Sequence, residues 1–296
     1  MYVILDLHGV FMSYGKRITW LDSQNRSDSL NNIKKIVLFD MDGTLTEPRE
    51  KFNTFLIKSL ENITNKAHIG IVTGSDYDYL IEQMAPLLQS KLRTTIHLLP
   101  CNGTKYYPPP KQYENDYKLV HSLNMKEKLG ESDFKKLMMI LINKQANLDL
   151  NNISIPLTGH FISYRNSMIN WCPIGRNATN TERKVFVEYD SSRAPSYRSI
   201  ILSSLKETLA LAGLMDKLVV KLGGSTSFDI YPIGWDKTYC LNHFNEWETW
   251  FVGDRCDHDG NDREIYDLLL KTNKSFKTKN TINTKLIIEE NIIPYL

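Results

Sequence analysis

Residues 34–46 read KKIVLFDMDGTLT, and the fold follows from how this stretch is built. Ile36 to Phe39 form an unbroken apolar run, short and without polar alternation, which is the pattern of a parallel strand buried on both faces. Two carboxylates, Asp40 and Asp42, follow at once, and Gly43-Thr44 then turns the chain. Open sheets of this kind carry their ligands at the carboxyl ends of the strands, so Asp40 stands where chemistry is expected.

Working outward, HIGIVTG (68–74) and TTIHLLP (94–100) repeat the buried-strand pattern. Between the first and second strands, Pro48 is expected to open a helix running through FNTFLIKSLENI, and between the second and third DYDYLIEQMAPLLQ is expected to form another, capped by Ser75 or Asp76. This βαβαβ order predicts a doubly wound (Rossmann-like) α/β sheet. From about residue 233 the alternation resumes. WDKTYCLNHF reads as a helix, ETWFVGD as a strand, and NDREIYDLLL and TKLIIEENI as helices.

The middle of the chain reads differently. YYPPPK (106–111) breaks the pattern, and MKEKLGESDFKKLMMILINKQ and SYRSIILSSLKETLALAGL read as amphipathic helices, the second ending at Gly213. HFISYRNSMINWCPI, KVFVEYD, KLVVKLGG and SFDIYP read as strands. The expected organisation is an extension at 1–34, a catalytic core from 35–103 and 233–296, and an inserted α+β cap at 104–232. Within the extension, LDLHGVF faintly echoes the first core strand but lacks the second carboxylate, and it reads as a short β-forming segment without catalytic function.

Of 296 residues, 42% are hydrophobic and 24% charged, which excludes a disordered chain. A net charge of +2 gives no reason to expect nucleic acid or an anionic membrane surface as partner. Cys101, Cys172, Cys240 and Cys256 show no close pairing, so they read as free thiols of a cytoplasmic protein.

The spacing of Asp40 and Asp42 suits phosphoryl transfer. One carboxylate attacks phosphorus, and a carboxyl two residues on protonates the leaving oxygen. Carboxylate and phosphate repel by about 4 kcal/mol at about 4 Å and an effective dielectric of about 20. A divalent cation and a lysine answer that repulsion. Asp254 at a strand end, in GDRCDHDGND (253–262), is the expected further metal ligand, and Lys237 in GWDK supplies the ammonium. An all-oxygen donor set favours Mg2+. Asp257, Asp259 and Asp262 all stand close behind Asp254, and Asp257 and Asp259 read as a solvated acidic loop. Thr73 offers a hydroxyl for a phosphate oxygen, with Ser75 as its competitor.

DMDGTLT, IVTGSD, a lysine and a GND segment, in this order, resemble the haloacid dehalogenase superfamily of phosphotransferases. The closer resemblance is to eukaryotic-type phosphomannomutase. It spans about 35–270 and rests on DMDGTLTEPR, GSDYDYLIEQM, YRNSMINWCPIGRNATNTER and GGSTSFDIYPIGWDKTYCLNHF. It implies Asp40 as nucleophile and Asp42 as general acid/base, with Mg2+ held by Asp40, the Asp42 carbonyl and Asp254. It implies substrate binding by Arg49, Arg165, Arg176, Arg183, Ser227 and Asp229. The implied activity interconverts mannose 6-phosphate and mannose 1-phosphate, serves GDP-mannose biosynthesis and is primed by a hexose bisphosphate. The implied assembly is a homodimer joined through the cap. Arginines on the cap suit this chemistry, since a guanidinium binds phosphate bidentately and a mutase must hold a second, distal phosphate.

The sequence also departs from the family. Thr73 stands where glycine is common, Cys101 where glutamate is usual and Ile233 where aspartate is common. YDLLLKTNK replaces the usual D-P-R-T segment, which puts an additional cation site in doubt. Two rival functions fit parts of the pattern. One is a sugar-phosphate phosphatase on the same scaffold, which would need no distal clamp. The other is a catalytically silent binding protein, against which Asp40, Asp42, Lys237 and Asp254 argue together.

Overall fold

The computed structural model describes residues 34–114, 116–148, 155–258 and 260–296. The expectations for residues 1–33 and for Asp259 lie outside the described residues.

The core is a five-stranded parallel sheet made of β1 (Lys35–Phe39), β2 (His68–Val72), β3 (Ile96–Leu99), β10 (Glu248–Gly253) and β11 (Ser275–Lys277). Its order is β11-β10-β1-β2-β3, so the strand bearing Asp40 is central. Both faces of β1 are covered. Val37 and Phe39 pack toward α1 (Ile57–Thr64), α2 (Tyr77–Leu88) and the C-terminal Ile287 and Ile288, while Ile36 and Leu38 meet Phe244, Phe251 and Ile265 on the other side. The side chains of Ile36, Val37, Leu38 and Phe39 are fully buried, which explains why this run contains no polar residue.

Between β3 and β10 the chain builds a cap. A short antiparallel pair, β4 (Lys105–Tyr106) with β5 (His121–Ser122), leads to a separate antiparallel sheet of order β6-β7-β9-β8. Its strands are β6 (Ile162–Tyr164), β7 (Ile169–Trp171), β8 (Leu218–Gly223) and β9 (Ser227–Pro232). One face, with Ile169, Trp171, Phe228 and Ile230, packs against α3 (Met125–Leu129), α4 (Glu131–Ala146) and α6 (Tyr197–Leu211). The alternate positions Asn170, Ser227 and Asp229 face the core across a cleft, as the two-residue period of a strand requires.

Several local expectations are corrected. KVFVEYD is not a strand but part of α5 (Asn180–Ser191). A capping box joins Thr179 and Glu182 at its start, and Phe186 and Asp190, four residues apart, are its buried positions. The segment 125–145 is two helices, because Gly130 takes φ +80° between α3 and α4. Pro48 does not open a helix. A 3-10 turn, Thr54–Leu56, capped by the Asn53 side chain, leads into α1 instead. WDKTYCLNHF forms a 3-10 helix, Lys237–His243, capped by Asp236, and not an α-helix. After α7 (Arg263–Leu270), the short edge strand β11 escaped the sequence reading, since SFK alone carries too little pattern. The C-terminal α8 (Thr281–Ile287) runs on into a π turn, Ile288–Ile292. No described helix is long and apolar enough to cross a bilayer, and all four cysteines are free and buried.

Candidate active site

Three strand ends and the cap meet over one cleft of about 520 Å³. Asp40 follows β1, Thr73 follows β2 and Asp254 follows β10, and all three line it from the core side. Arg165, Arg176, Arg183, Ser227 and Asp229 line it from the cap. Asp42 and Arg49 complete the core wall. Lys237 does not reach the cleft surface. It lies wholly buried, where its ammonium joins the Asp40 and Asp262 carboxylates.

Asp262 is the residue that sequence reasoning left out of the site. It is fully buried and also accepts the Arg255 amide at 3.0 Å. Its signal was its place behind Asp254 in an acidic segment, but spacing alone did not separate it from Asp257. Asp257 indeed points outward, and Lys277 pairs with it at 2.6 Å.

The electrostatics of this cluster call for a cation. Carboxylate oxygens of Asp40, Asp254 and Asp262 lie within 4.8 Å of one another. Lys237 pairs with Asp40 and Asp262, and Arg255 Nε stands 3.9 Å from Asp254 Oδ2, so three carboxylates face two cations. Burial pushes the Asp40 pKa well above the ordinary range. Lys237 opposes that rise, and Asp262 and Asp254 add to it. Burial, then Asp262, push Asp254 up to about 6. Burial alone would lower Lys237, but Asp262 and Asp40 outweigh it and hold the ammonium charged. Asp254 Oδ1 is buried without a hydrogen-bond partner among the described residues, a costly state for a carboxylate oxygen that a bound cation would relieve. Gly43, at φ +89°, leaves room for this carboxylate, since a Cβ there would stand 2.4 Å from Asp254 Oδ2. The all-carboxylate donor set therefore fits a hard divalent ion.

Asp42 is held from two sides. The Arg49 amide donates to its Oδ1 at 3.0 Å and the Tyr79 hydroxyl to the same oxygen at 3.1 Å. Arg49 reaches it because the chain reverses there with φ +68°, which is why the helix expected at Pro48 starts later. Burial, followed by the Asp42 charge, pushes the Tyr79 pKa up, with Arg49 and Arg176 opposing. Thr73 Oγ1 accepts the Ser75 amide at 3.1 Å, so its hydroxyl serves the loop turn while Thr73 and Ser75 both border the cleft.

The cap side is a preassembled set of cations. Arg165 donates to the Gly74 carbonyl at 2.6 Å, bringing cap to core. Arg176 donates to Asn170 Oδ1 at 2.8 Å, and Asn170 in turn donates to Asp229 at 2.7 Å. Arg183, in the first turns of α5, donates to Thr226 Oγ1 at 2.7 Å. Burial first, and then the neighbouring guanidinium of Arg165 or Arg49, lowers the pKa of Arg176 and Arg183 respectively. Like charges gathered without an anion are unfavourable, and a phosphate relieves them. At the far rim, Lys221 of β8 pairs with Glu264 of α7, and Arg255 donates to the Gly224 carbonyl at 3.1 Å, so core and cap also touch there.

Fold and site together define a phosphotransferase-type α/β enzyme of the haloacid dehalogenase kind. Solved structures agree on the fold. An IMP-nucleotidase of Plasmodium falciparum with IMP bound superposes with a TM-score of 0.60 over 89% of this chain and 69% of its own, at 14% identity. The family model described as eukaryotic phosphomannomutase matches residues 56–290. Phosphomannomutase 2 of Dictyostelium discoideum is 35% identical over 263 residues, covering 88% of this chain and 97% of its own. A phosphomannomutase of Drosophila melanogaster is 35% identical over 240 residues, covering 78% and 85%. The chain belongs to the eukaryotic phosphomannomutase family, whose members are isomerases.

Proposed function

We propose that this chain interconverts mannose 6-phosphate and mannose 1-phosphate by way of an aspartyl-phosphate on Asp40. The observation that carries the reading is the facing of two charge sets across one cleft, Asp40 with its carboxylate cluster on the core and Arg165, Arg176 and Arg183 on the cap. Hydrolysis alone would not need the second set.

In this reading a hexose bisphosphate primes the enzyme. The Asp40 carboxylate attacks phosphorus, the bond to the sugar oxygen breaks, and Asp42 gives that oxygen its proton. Mannose 1-phosphate then enters with its 6-hydroxyl toward Asp40. Asp42 takes that proton as the oxygen attacks the phosphoryl group, the bond from Asp40 to phosphorus breaks, and a bound bisphosphate forms. The bisphosphate turns over in the cleft, Asp40 attacks its 1-phosphoryl group, Asp42 protonates the departing sugar oxygen, and mannose 6-phosphate leaves with the phosphoryl group again on Asp40. Arg165, Arg176, Arg183 and Arg49 hold the non-reacting phosphate, while Ser227 and Asp229 meet sugar hydroxyls. Lys237 holds Asp40 in place and offsets its charge.

Asp40, Asp254, Asp262 and the Asp42 carbonyl would hold Mg2+, which neutralises charge on the transferring phosphoryl group when bound. Core–cap contacts exclude water, which favours transfer to sugar over hydrolysis. In this reading the catalytic core is 35–103 and 233–296, the substrate-binding cap 104–232 and the extension 1–34. A cytoplasmic homodimer joined through the cap completes the reading.

A coupled assay tests it. Mannose 1-phosphate should yield mannose 6-phosphate only with Mg2+ and should do so faster with a bisphosphate primer. Release of inorganic phosphate with no mannose 6-phosphate formed would establish the phosphatase instead.

A further inference from the structure

We propose that Tyr79 is a positioning residue for the acid/base carboxyl, an inference that rests on the Asp42 reading above. Two donors converge on one oxygen of Asp42, the Tyr79 hydroxyl at 3.1 Å and the Arg49 amide at 3.0 Å. The second oxygen, Oδ2, receives no hydrogen bond among the described residues. A carboxyl that must move a proton at one oxygen works best when the other is fixed, because a small misplacement in a proton-transfer geometry costs a large factor in rate. One donor is backbone and cannot rotate. The other comes from the first turn of α2, which Asp76 caps and which Leu80 and Met84 anchor in the core. The phenol is therefore placed by a rigid element and not by a loop.

The position of Tyr79 gives it a second relation to the substrate. It borders the same cleft as Arg176 and Arg183, and the charges of Arg49 and Arg176 are felt at its hydroxyl. Tyr79 thus holds Asp42 and borders the cleft that the cationic wall lines, and a distal phosphate bound by those arginines would fix the sugar against an Asp42 already held in register.

The test separates leaving groups. Mannose 1,6-bisphosphate expels a sugar oxygen that needs a proton, whereas 2,4-dinitrophenyl phosphate expels a phenolate that needs none. Single-turnover phosphorylation is measured for both in the wild type, Tyr79→Phe and Asp42→Asn, with thermal unfolding as a check on folding. Loss of one positioning hydrogen bond is expected to slow transfer from the bisphosphate about tenfold relative to transfer from the dinitrophenyl ester, with KM nearly constant. Equal losses on both substrates, a change confined to KM, or no change would overturn the assignment. Asp42→Asn should show the same selectivity more strongly. If Asp42→Asn discriminates and Tyr79→Phe does not, only the role of Tyr79 fails. If Asp42→Asn does not discriminate, the acid/base reading fails and the positioning role falls with it.

Discussion

Lys237 is ion-paired with Asp40 although 197 positions separate them in the chain. The whole cap intervenes between the two residues. Their contact is therefore a product of the sheet order, in which β10 and β1 are neighbours and the 3-10 helix opening at Lys237 precedes β10. The same ammonium also meets Asp262 from the turn after β10, so one lysine ties together two of the segments that form the site.

Removing that lysine should be severe. Lys237→Met leaves Asp40 and Asp262 buried without their counter-charge, and breaking a buried pair by deleting one partner typically costs about 3–5 kcal/mol. Urea unfolding should show a loss of that size, and turnover should fall at least about a hundredfold.

Asp262→Asn keeps the shape and removes one charge. If Asp262 contributes to the cation site, the Mg2+ concentration for half-maximal activation should rise by about 10–100-fold, and Mg2+ should raise the unfolding temperature of the variant less than that of the wild type. An unchanged Mg2+ dependence would confine Asp262 to holding Lys237.

Arg176→Ala should impair isomerisation more than hydrolysis of a small aryl phosphate, since only the former has a distal phosphate. A difference of about tenfold or more in the two losses is expected for one charge-assisted contact. Asn170→Ala, which removes the partner that orients Arg176, should act in the same direction and less strongly. Parallel kcat/KM measurements on both substrates decide the point.

A linked set of imidazoles predicts the acid limit of stability. His68 Nδ1 lies 3.0 Å from His97 Nε2, and His97 Nδ1 lies 2.8 Å from the Tyr106 hydroxyl. Burial, followed by the charge of His68, lowers the His97 pKa to about 3, and burial lowers His68 and His243 as well. At these imidazoles, near 6.5 when unfolded, the unfolded chain binds more protons than the folded chain between about pH 3 and 6.5, so their contribution to stability rises with pH across that window, while the raised Asp40 and Asp254 carboxyls offset part of it. Unfolding midpoints should drop as pH falls from 7 to 5. His97→Gln should lessen the slope by up to about one proton.

Much of the core was legible because parallel strands buried on both faces write uninterrupted apolar runs, as in IVLF and WFV. The convergence of Asp40, Thr73 and Asp254 followed from their places at strand ends. The cap was less legible. Val185 and Val187 alternate with Phe186 in KVFVEYD like a strand, and only the Thr179–Glu182 capping box marks the helix that forms. Asp262 and Tyr79 escaped for another reason. Their roles depend on which side chains lie opposite, across 25 residues to Lys237 and 37 to Asp42, and no local periodicity encodes such pairings.

The central claim is that Asp40 carries the phosphoryl group. Mixing the chain with a hexose bisphosphate and Mg2+, quenching in acid within the first turnover and mapping the peptides by mass spectrometry tests it most directly. The account predicts one phosphoryl group on Asp40, absent in Asp40→Asn together with turnover. Phosphate on another residue, or full turnover by Asp40→Asn, would contradict it.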